Sequence, residues 1–224
     1  MVSKTDHKIR AIMFDLDGTL MDTYRDLMNA ANHVLTARGF ETLKAQEARM
    51  LATDGMIAML RAVMKDRIDR YDHEELKKEF LNYYLPHICV ESRPFEKTDL
   101  LLEHCRDLGI RWGIVTNKPS FLTRPLIESI PLFSDCSVIV CSDDLPEKKP
   151  DPRPLTFALE QIGITDPSCC IYAGDHIRDI QCGNNAGAVT VAAAWGYIPQ
   201  NQQISDWGAD FTAEDPGCII SILS

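Results

Sequence analysis

The sequence predicts an α/β protein in which helices flank a parallel sheet, with an all-helical insertion after the first strand. From residue 93 onward, short apolar runs typical of strands alternate with amphipathic stretches typical of helices. The stretch 23–92 has no strand-like run, and its apolar residues recur at helical spacing, as Leu27 and Ala31 do. We therefore assign residues 1–22 and 93–224 to an α/β core and residues 23–92 to an inserted helical domain.

The predicted strands are short and lie between turn residues. They comprise residues 12–14, 110–116, 137–141, 170–174 and 189–194. In a parallel sheet covered on both faces, active residues gather at the carboxyl ends of the strands. The residues that directly follow each apolar run are therefore the first candidates for a functional site.

Composition and charge narrow the function classes. A chain of 224 residues with 45% hydrophobic residues is long enough to bury a substantial core. Its formal net charge of -10 argues against binding to nucleic acid or to an anionic membrane surface. The polar start and the absence of an apolar run of about 20 residues lead us to expect a cytoplasmic protein without a membrane span. Its eight cysteines show no zinc-like spacing, so we expect reduced thiols.

Two carboxylates follow the first apolar run. After residues 12–14, Asp15 and Asp17 point the same way because side chains in a strand alternate, and Gly18 lets the backbone bend. Two such charges at 4 Å repel by about 4 kcal/mol at an effective dielectric constant of 20. The pair therefore needs a shared proton or a cation, and a hard divalent ion such as Mg²⁺ suits its oxygen ligands. An acidic turn at a strand end has the same residue types.

Three later segments carry further polar candidates. Thr116 and Asn117 end an apolar run, where their side chains can donate hydrogen bonds to a phosphate oxygen. Lys149 opens a proline-rich stretch that stiffens the approach to a helix. Asp175 and Asp179 follow another apolar run, and their spacing of four lets both face one side of a helical turn. An ordinary turn, a solvated loop and a capped helix are the competing interpretations of these three segments.

Together these segments resemble the signatures of one enzyme family. Residues 15–20, Asp-Leu-Asp-Gly-Thr-Leu, resemble the first signature of the haloacid dehalogenase superfamily, whose phosphatases use an aspartate nucleophile. Thr116, the Lys-Pro-x-Pro-x-Pro segment from Lys149, and the acidic pair Asp175 and Asp179 then resemble the later signatures, in the family's order. The resemblance implies a Rossmann-like core with a helical cap inserted after the first strand.

The resemblance also implies a role for each candidate. Asp15 is the expected nucleophile and Asp17 the general acid and base, while Mg²⁺ is expected to bind Asp15, the Asp17 carbonyl and Asp175. The expected phosphate-binding residues are Gly18, Thr116, Asn117 and Lys149. Asp179 is expected to orient Lys149 or a metal-bound water.

The inserted domain is expected to select the substrate. A helical cap that closes over the site excludes water, and its hinges are expected near residues 20–24 and 92–97. We expect Asp54 and Gly55 at the tip facing the site, and Arg49 or Arg61 at a second anionic group of the substrate. Both arginines are equally compatible with solvated helix positions.

Taken over the whole chain, the resemblance is to phosphoglycolate phosphatase-like proteins. Residues 112–119, 195–198 and 207–210 also resemble the branch that includes N-acetylmuramic acid 6-phosphate phosphatases of cell-wall recycling. We therefore expect a Mg²⁺-dependent phosphatase that hydrolyses a small-molecule phosphate ester through an aspartyl-phosphate. A phosphosugar mutase and a non-catalytic binding or regulatory protein on this fold remain alternatives. A dehalogenase is disfavoured because it needs neither Asp17 nor a metal. The sequence leaves the oligomeric state and the physiological substrate open.

Overall fold

The computed structural model describes residues 8–199 and 201–223 and centres on a parallel sheet. The strands in chain order are β1 (Ala11–Phe14), β2 (Met21–Asp22), β3 (Arg93–Pro94), β4 (Arg111–Val115), β5 (Ile139–Val140), β6 (Cys170–Gly174), β7 (Val189–Ala193) and β8 (Phe211–Ala213). Within the described residues, six strands form the sheet in the order β5-β4-β1-β6-β7-β8. The other two, β2 and β3, pair with each other as a short antiparallel ribbon.

The first strand lies in the middle of the sheet, as an entirely apolar and buried run should. Its last residue, Phe14, pairs with Ile114 of β4 and Ala173 of β6, so the carboxyl ends of three strands meet at one edge. The predicted α/β class with a parallel sheet is confirmed. The strand expected at 137–141 is shorter than predicted, and β8 was not predicted because it has three residues and one buried side chain.

Helices cover both faces of the sheet. In chain order they are α1 (Tyr24–Thr36), α2 (Ala45–Leu51), α3 (Gly55–Met64), α4 (His73–Tyr84), α5 (Thr98–Asp107), α6 (Ser120–Glu128), α7 (Arg153–Gln161) and α8 (Ile177–Ala186). Phe14 and Leu101 of α5 belong to one apolar cluster, whereas Met13 and Leu155 of α7 belong to another. Alternate β1 side chains thus enter the cores on opposite faces of the sheet.

The helices α1 to α4 all lie between β2 and β3 in the chain. The ribbon pairs Met21 with Pro94 and Asp22 with Arg93, which brings the two chain connections side by side. The buried carboxylate of Asp26 in α1 also accepts hydrogen bonds from the Ser92 amide and hydroxyl, at 2.8 and 2.6 Å. The ribbon lies in the two segments expected as hinges; division of the chain into a core and a movable cap stays a prediction.

Two further observations concern the cysteines and the membrane. All eight cysteines are free thiols. In the part of the chain that the structure describes, no helix is both long and apolar enough to cross a bilayer.

Candidate active site

The predicted site residues meet at the carboxyl edge of the sheet. Asp15 directly follows β1, Thr116 follows β4 and Asp175 follows β6. Lys149 reaches the same place from the loop before α7, and Asp179 from the first turn of α8. All five side chains are buried, with Asp15, Thr116 and Lys149 each 5% exposed. Parallel pairing of β1 with both neighbours is what brings these distant segments together.

The Lys149 ammonium lies between two carboxylates. Its Nζ is 2.8 Å from Asp15 Oδ1 and 2.6 Å from Asp179 Oδ1, and it donates a hydrogen bond to the Val115 carbonyl at 3.1 Å. Burial lowers the pKa of Lys149, but the attraction of Asp15 and Asp179 outweighs it and raises the pKa above its usual value. Lys149 is therefore a fixed positive charge.

Three aspartates form a buried cluster beside this lysine. Ligand atoms of Asp15, Asp175 and Asp179 all lie within 4.8 Å of one another. Burial raises the pKa of Asp15 to about 6, and burial together with its carboxylate neighbours raises the pKa of Asp175 well above its usual value. One ammonium against three carboxylates leaves excess negative charge in a water-poor place. Hard oxygen donors in this arrangement fit a divalent cation such as Mg²⁺.

Hydrogen bonds hold the Asp175 carboxylate in place. Thr19 Oγ1 donates to its Oδ1 at 3.0 Å, and the Tyr197 amide donates to its Oδ2 at 2.8 Å. Gly18 passes so close that an added Cβ would collide with Asp175, and its φ of +86° is one that glycine adopts without strain. Gly18 therefore lets the chain after Asp17 fold back against the cluster.

The Asp17 side chain lies outside this cluster. The Lys118 ammonium is 3.1 and 3.2 Å from its two oxygens, and the Thr23 hydroxyl donates to Oδ1 at 2.5 Å. Lys118 also donates to the Tyr84 hydroxyl in α4 at 3.2 Å. Sequence reasoning missed Lys118, although it follows the candidate pair Thr116 and Asn117 at the end of β4.

Thr116 and Asn117 have different surroundings. Both line the cavity described below, and the Thr116 hydroxyl accepts a hydrogen bond from the Lys118 amide at 3.1 Å. The Asn117 side chain instead pairs with the Lys149 backbone, donating to its carbonyl and accepting from its amide, each at 3.2 Å. A short amide side chain held in this way positions the Lys149 loop, and its expected contact with phosphate stays a prediction.

The start of α8 holds Asp179 and His176. The His176 amide donates to Asp179 Oδ2 at 3.1 Å, while His176 Nδ1 accepts from the Arg178 amide at 3.0 Å. Burial and the nearby Arg178 lower the pKa of His176 to about 4. A neutral imidazole is required here because the ring nitrogen must accept that hydrogen bond.

A cavity of about 430 Å³ opens from these groups toward the helices between β2 and β3. Asp15, Asp17, Thr116, Lys149 and Asp179 line its inner end. The remaining wall is mostly apolar and comes from both parts of the chain: Leu27, Ala52, Met56, Ile57, Phe80, Leu81, Pro119, Phe121 and Leu122.

The residues expected at the cap tip divide into two groups. Asp54 and Gly55 line the cavity, and the neighbouring Thr53 carbonyl accepts a hydrogen bond from Arg178 at 3.3 Å. Arg61 is not brought to the cavity, because its guanidinium pairs with Asp69 at 3.0 Å on the surface. Arg49 is also directed elsewhere, to the Trp195 carbonyl at 2.8 Å. Neither arginine is among the residues that line the cavity, and contact of either with a second anionic group of the substrate stays a prediction.

The chain is similar to known proteins over most of its length. The family described as haloacid dehalogenase-like hydrolase matches residues 12–193. The N-acetylmuramic acid 6-phosphate phosphatase of Pseudomonas aeruginosa is 36% identical over 216 residues, covering 96% of this chain and 95% of that protein. The phosphoglycolate phosphatase of Xylella fastidiosa strain Temecula1 is 38% identical over 207 residues, covering 92% and 90%.

The fold has solved counterparts as well. The crystal structure of a predicted phosphoglycolate phosphatase from Haemophilus somnus 129PT superposes with a TM-score of 0.86, covering all of both chains at 24% identity. At that identity the likeness concerns the fold. The match of residues 12–193 and the two relatives aligned over nearly their whole length establish that the chain belongs to the haloacid dehalogenase-like hydrolase family.

Proposed function

We propose that this chain is a Mg²⁺-dependent phosphatase that hydrolyses a small-molecule phosphomonoester through an aspartyl-phosphate on Asp15. The observation that carries the proposal is the buried cluster of Asp15, Asp175 and Asp179, of which Asp15 and Asp179 pair with Lys149 and line the cavity with it. The names of the two curated relatives support the reaction class.

Asp15 is the proposed nucleophile. Burial raises its pKa to about 6, so the carboxylate is still largely ionised at neutral pH. A carboxylate oxygen attacks phosphorus, the bond from phosphorus to the ester oxygen breaks, and an acyl phosphate forms on Asp15. A difficult displacement at phosphorus is thereby divided into two easier ones.

Asp17 is the proposed general acid and base. It donates a proton to the departing alkoxide in the first step and takes a proton from the attacking water in the second, which returns Asp15 to a free carboxylate. Lys118 and Thr23 hold the Asp17 carboxylate at the wall of the cavity in which the ester would bind.

The remaining residues stabilise charge. Lys149 and the Thr116 hydroxyl contact the equatorial oxygens of the transferring group, and Asp179 keeps Lys149 in place through the 2.6 Å ion pair. When bound, Mg²⁺ would be held by Asp15, Asp175 and the Asp17 carbonyl and would neutralise negative charge on the phosphoryl group.

The test compares two aspartate variants on p-nitrophenyl phosphate. Asp15→Asn should abolish Mg²⁺-dependent phosphate release while leaving the circular dichroism spectrum and Tm close to wild type. Asp107→Asn is the matched control, since Asp107 is exposed on α5, and it should keep full activity. An active Asp15→Asn enzyme would refute the assigned nucleophile.

The cavity favours one substrate candidate over another. A volume of about 430 Å³ falls in the range that encloses drug-sized ligands. Its wall beyond the phosphate end is mostly apolar, which suits a large leaving group with methyl-bearing substituents better than the two-carbon acid of 2-phosphoglycolate. We therefore place N-acetylmuramic acid 6-phosphate, named for the Pseudomonas aeruginosa relative, ahead of 2-phosphoglycolate.

A kinetic comparison decides between the two substrates. We expect kcat/KM for N-acetylmuramic acid 6-phosphate to exceed that for 2-phosphoglycolate by about tenfold or more. A higher value for 2-phosphoglycolate would reverse the order. Analysis of products from glucose 1-phosphate, with free phosphate and an isomeric phosphosugar measured separately, tests the phosphosugar mutase alternative.

A further inference from the structure

The segment 195–197, which follows β7, contacts several parts of the molecule that the proposed mechanism needs together. Its tryptophan and tyrosine belong to one of the motifs that stand out in the sequence, yet neither acts on the phosphoryl group. Tyr197 is 1% exposed although it lies in a loop. The contacts of its phenol and of its backbone lead to two different places.

The phenol of Tyr197 caps the first helix of the inserted segment. The first amides of a helix lack partners inside the helix, and side chains at the N-cap normally supply them. The N-cap residue of α1, Thr23, makes no such bond because its hydroxyl donates to Asp17. Instead, the Tyr197 hydroxyl oxygen accepts from the Thr23 and Tyr24 amides, at 2.6 and 3.0 Å, and donates to Asp22 Oδ1 at 2.8 Å.

The backbone of the same segment holds the aspartate cluster. The Tyr197 amide donates to Asp175 Oδ2 at 2.8 Å. Gly196 is packed so closely that an added Cβ would collide with Asp175 and lie 2.6 Å from the Gly18 carbonyl oxygen. The Trp195 indole donates to the Thr19 carbonyl at 2.9 Å. The segment therefore fits tightly against both Asp175 and the loop that follows Asp15.

Two other parts of the chain converge on the Tyr197 ring. The Arg49 guanidinium of α2 is 5.5 Å from its centre and donates to the Trp195 carbonyl at 2.8 Å. The Phe95 ring, just after β3, is 6.4 Å away. Cation–π and aromatic contacts of this kind add to the hydrogen bonds. Both chain connections of the inserted helices thus meet at one tyrosine.

We propose that Tyr197 is a positioning residue that fixes the start of α1 relative to the Asp175 carboxylate. Its contacts hold the inserted helices in one fixed position relative to the aspartate cluster. The cavity walls contributed by those helices are then held in register with Asp15 and Asp17. The kinetic part of the test rests on the proposed phosphatase function, while the anchoring itself does not.

The test uses Tyr197→Phe, which removes the hydroxyl but keeps the ring and the backbone amide. Hydrogen exchange measured by NMR should become about tenfold faster at the Thr23 and Tyr24 amides, because each loses its acceptor. With N-acetylmuramic acid 6-phosphate or the best substrate found, kcat should fall about tenfold or more while KM changes less than about twofold, because misplacement affects the transition state most. Tyr71→Phe, a half-buried tyrosine of the inserted segment, is the matched control and should behave as wild type.

Two further measurements separate anchoring from ordinary stabilisation. If Tyr197 only stabilised the fold, Tyr197→Phe would lower the Tm and leave kcat unchanged at temperatures well below the Tm, and that result would overturn the proposal. Wild-type rates of hydrogen exchange at the Thr23 and Tyr24 amides would also overturn it. Arg49→Met combined with Tyr197→Phe should lose less activity than the two single losses multiplied, because Arg49 and the Tyr197 hydroxyl hold the same segment 195–197 against the inserted helices; fully multiplicative losses would count against it.

A less disruptive variant tests the same contact if Tyr197→Phe does not fold. Asp22→Asn weakens the acceptor of the phenol and should give the same pattern with smaller effects; wild-type kinetics and exchange would then overturn the proposal. If the wild-type protein hydrolyses no phosphate ester, the proposed function fails, and the exchange measurement alone still decides whether Tyr197 anchors α1.

Discussion

Lys149 gives a prediction that separates electrostatics from simple packing. Its ammonium is buried between Asp15 and Asp179 at 2.8 and 2.6 Å, and Asp175 completes the acidic cluster. Lys149→Met keeps an unbranched, largely apolar side chain and removes the positive charge. The variant leaves the buried carboxylates of Asp15 and Asp179 without their ion-paired cation.

Breaking a buried ion pair by removing one partner typically costs about 3–5 kcal/mol of unfolding free energy. The upper part of this range is expected here, because two carboxylates lose the same ammonium. The loss should shrink at pH 5, where Asp15, whose pKa is raised to about 6, takes up a proton. It should also shrink with Mg²⁺, because the cation should bind more tightly to the variant, whose carboxylates have lost the Lys149 charge, than to wild type.

The assay is urea unfolding at pH 7 with EDTA, repeated with Mg²⁺ and at pH 5. Lys148→Met is the matched control, because the neighbouring Lys148 is exposed and should change the unfolding free energy by less than about 0.5 kcal/mol. Phosphatase activity of Lys149→Met should fall by about 10²–10³-fold. A Lys149→Met protein as stable as Lys148→Met at pH 7 without metal would refute this reasoning.

Three further predictions concern other groups of the site. Asp17→Asn should slow the first chemical step, measured as release of the leaving group before steady state, about 10²-fold or more for alkyl phosphates and much less for p-nitrophenyl phosphate, since nitrophenolate leaves without a proton; equal losses in that step would contradict its role as general acid. The pKa of His176 is lowered to about 4, so its contribution to stability is complete above pH 6.5 and is lost as the pH falls toward 4. The difference in unfolding free energy between wild type and His176→Asn, measured by urea unfolding, should therefore narrow by about 2 kcal/mol over that range. A constant difference would argue against this pKa. Phe121→Ala removes a ring that lines the cavity and is 47% exposed. It should raise KM for N-acetylmuramic acid 6-phosphate several-fold and leave KM for p-nitrophenyl phosphate nearly unchanged. An unchanged KM for both would show that Phe121 does not contact the substrate.

The site residues that could be predicted from the sequence are those whose position follows from a local pattern of apolar and polar residues. Asp15, Thr116 and Asp175 each follow an apolar run, and parallel strands bring such residues to one edge. The alternation of strands and helices was sufficient to predict the sheet itself. Of the six sheet strands in the described residues, β8 was not predicted, because a three-residue strand with partly exposed side chains carries little periodic signal.

The residues that sequence could not place depend on contacts between distant segments. Lys118 pairs with Asp17, 101 positions away, and the Tyr197 hydroxyl contacts Asp22, 175 positions away. Nothing in a local pattern distinguishes such groups from core or surface residues. Arg61 differs in kind, since its guanidinium pairs with the nearby surface residue Asp69, a local contact that the helical pattern did not indicate.

The most direct test of the proposed aspartyl-phosphate on Asp15 is to look for the phosphoryl group on the enzyme. The wild-type protein would be mixed with substrate and Mg²⁺, quenched in acid during turnover, digested with pepsin and analysed by mass spectrometry. We expect one phosphoryl group on the peptide that contains residues 11–20, located at Asp15 and absent from Asp15→Asn. Turnover without that modification, or its appearance on another residue, would contradict the assignment of Asp15 as the nucleophile.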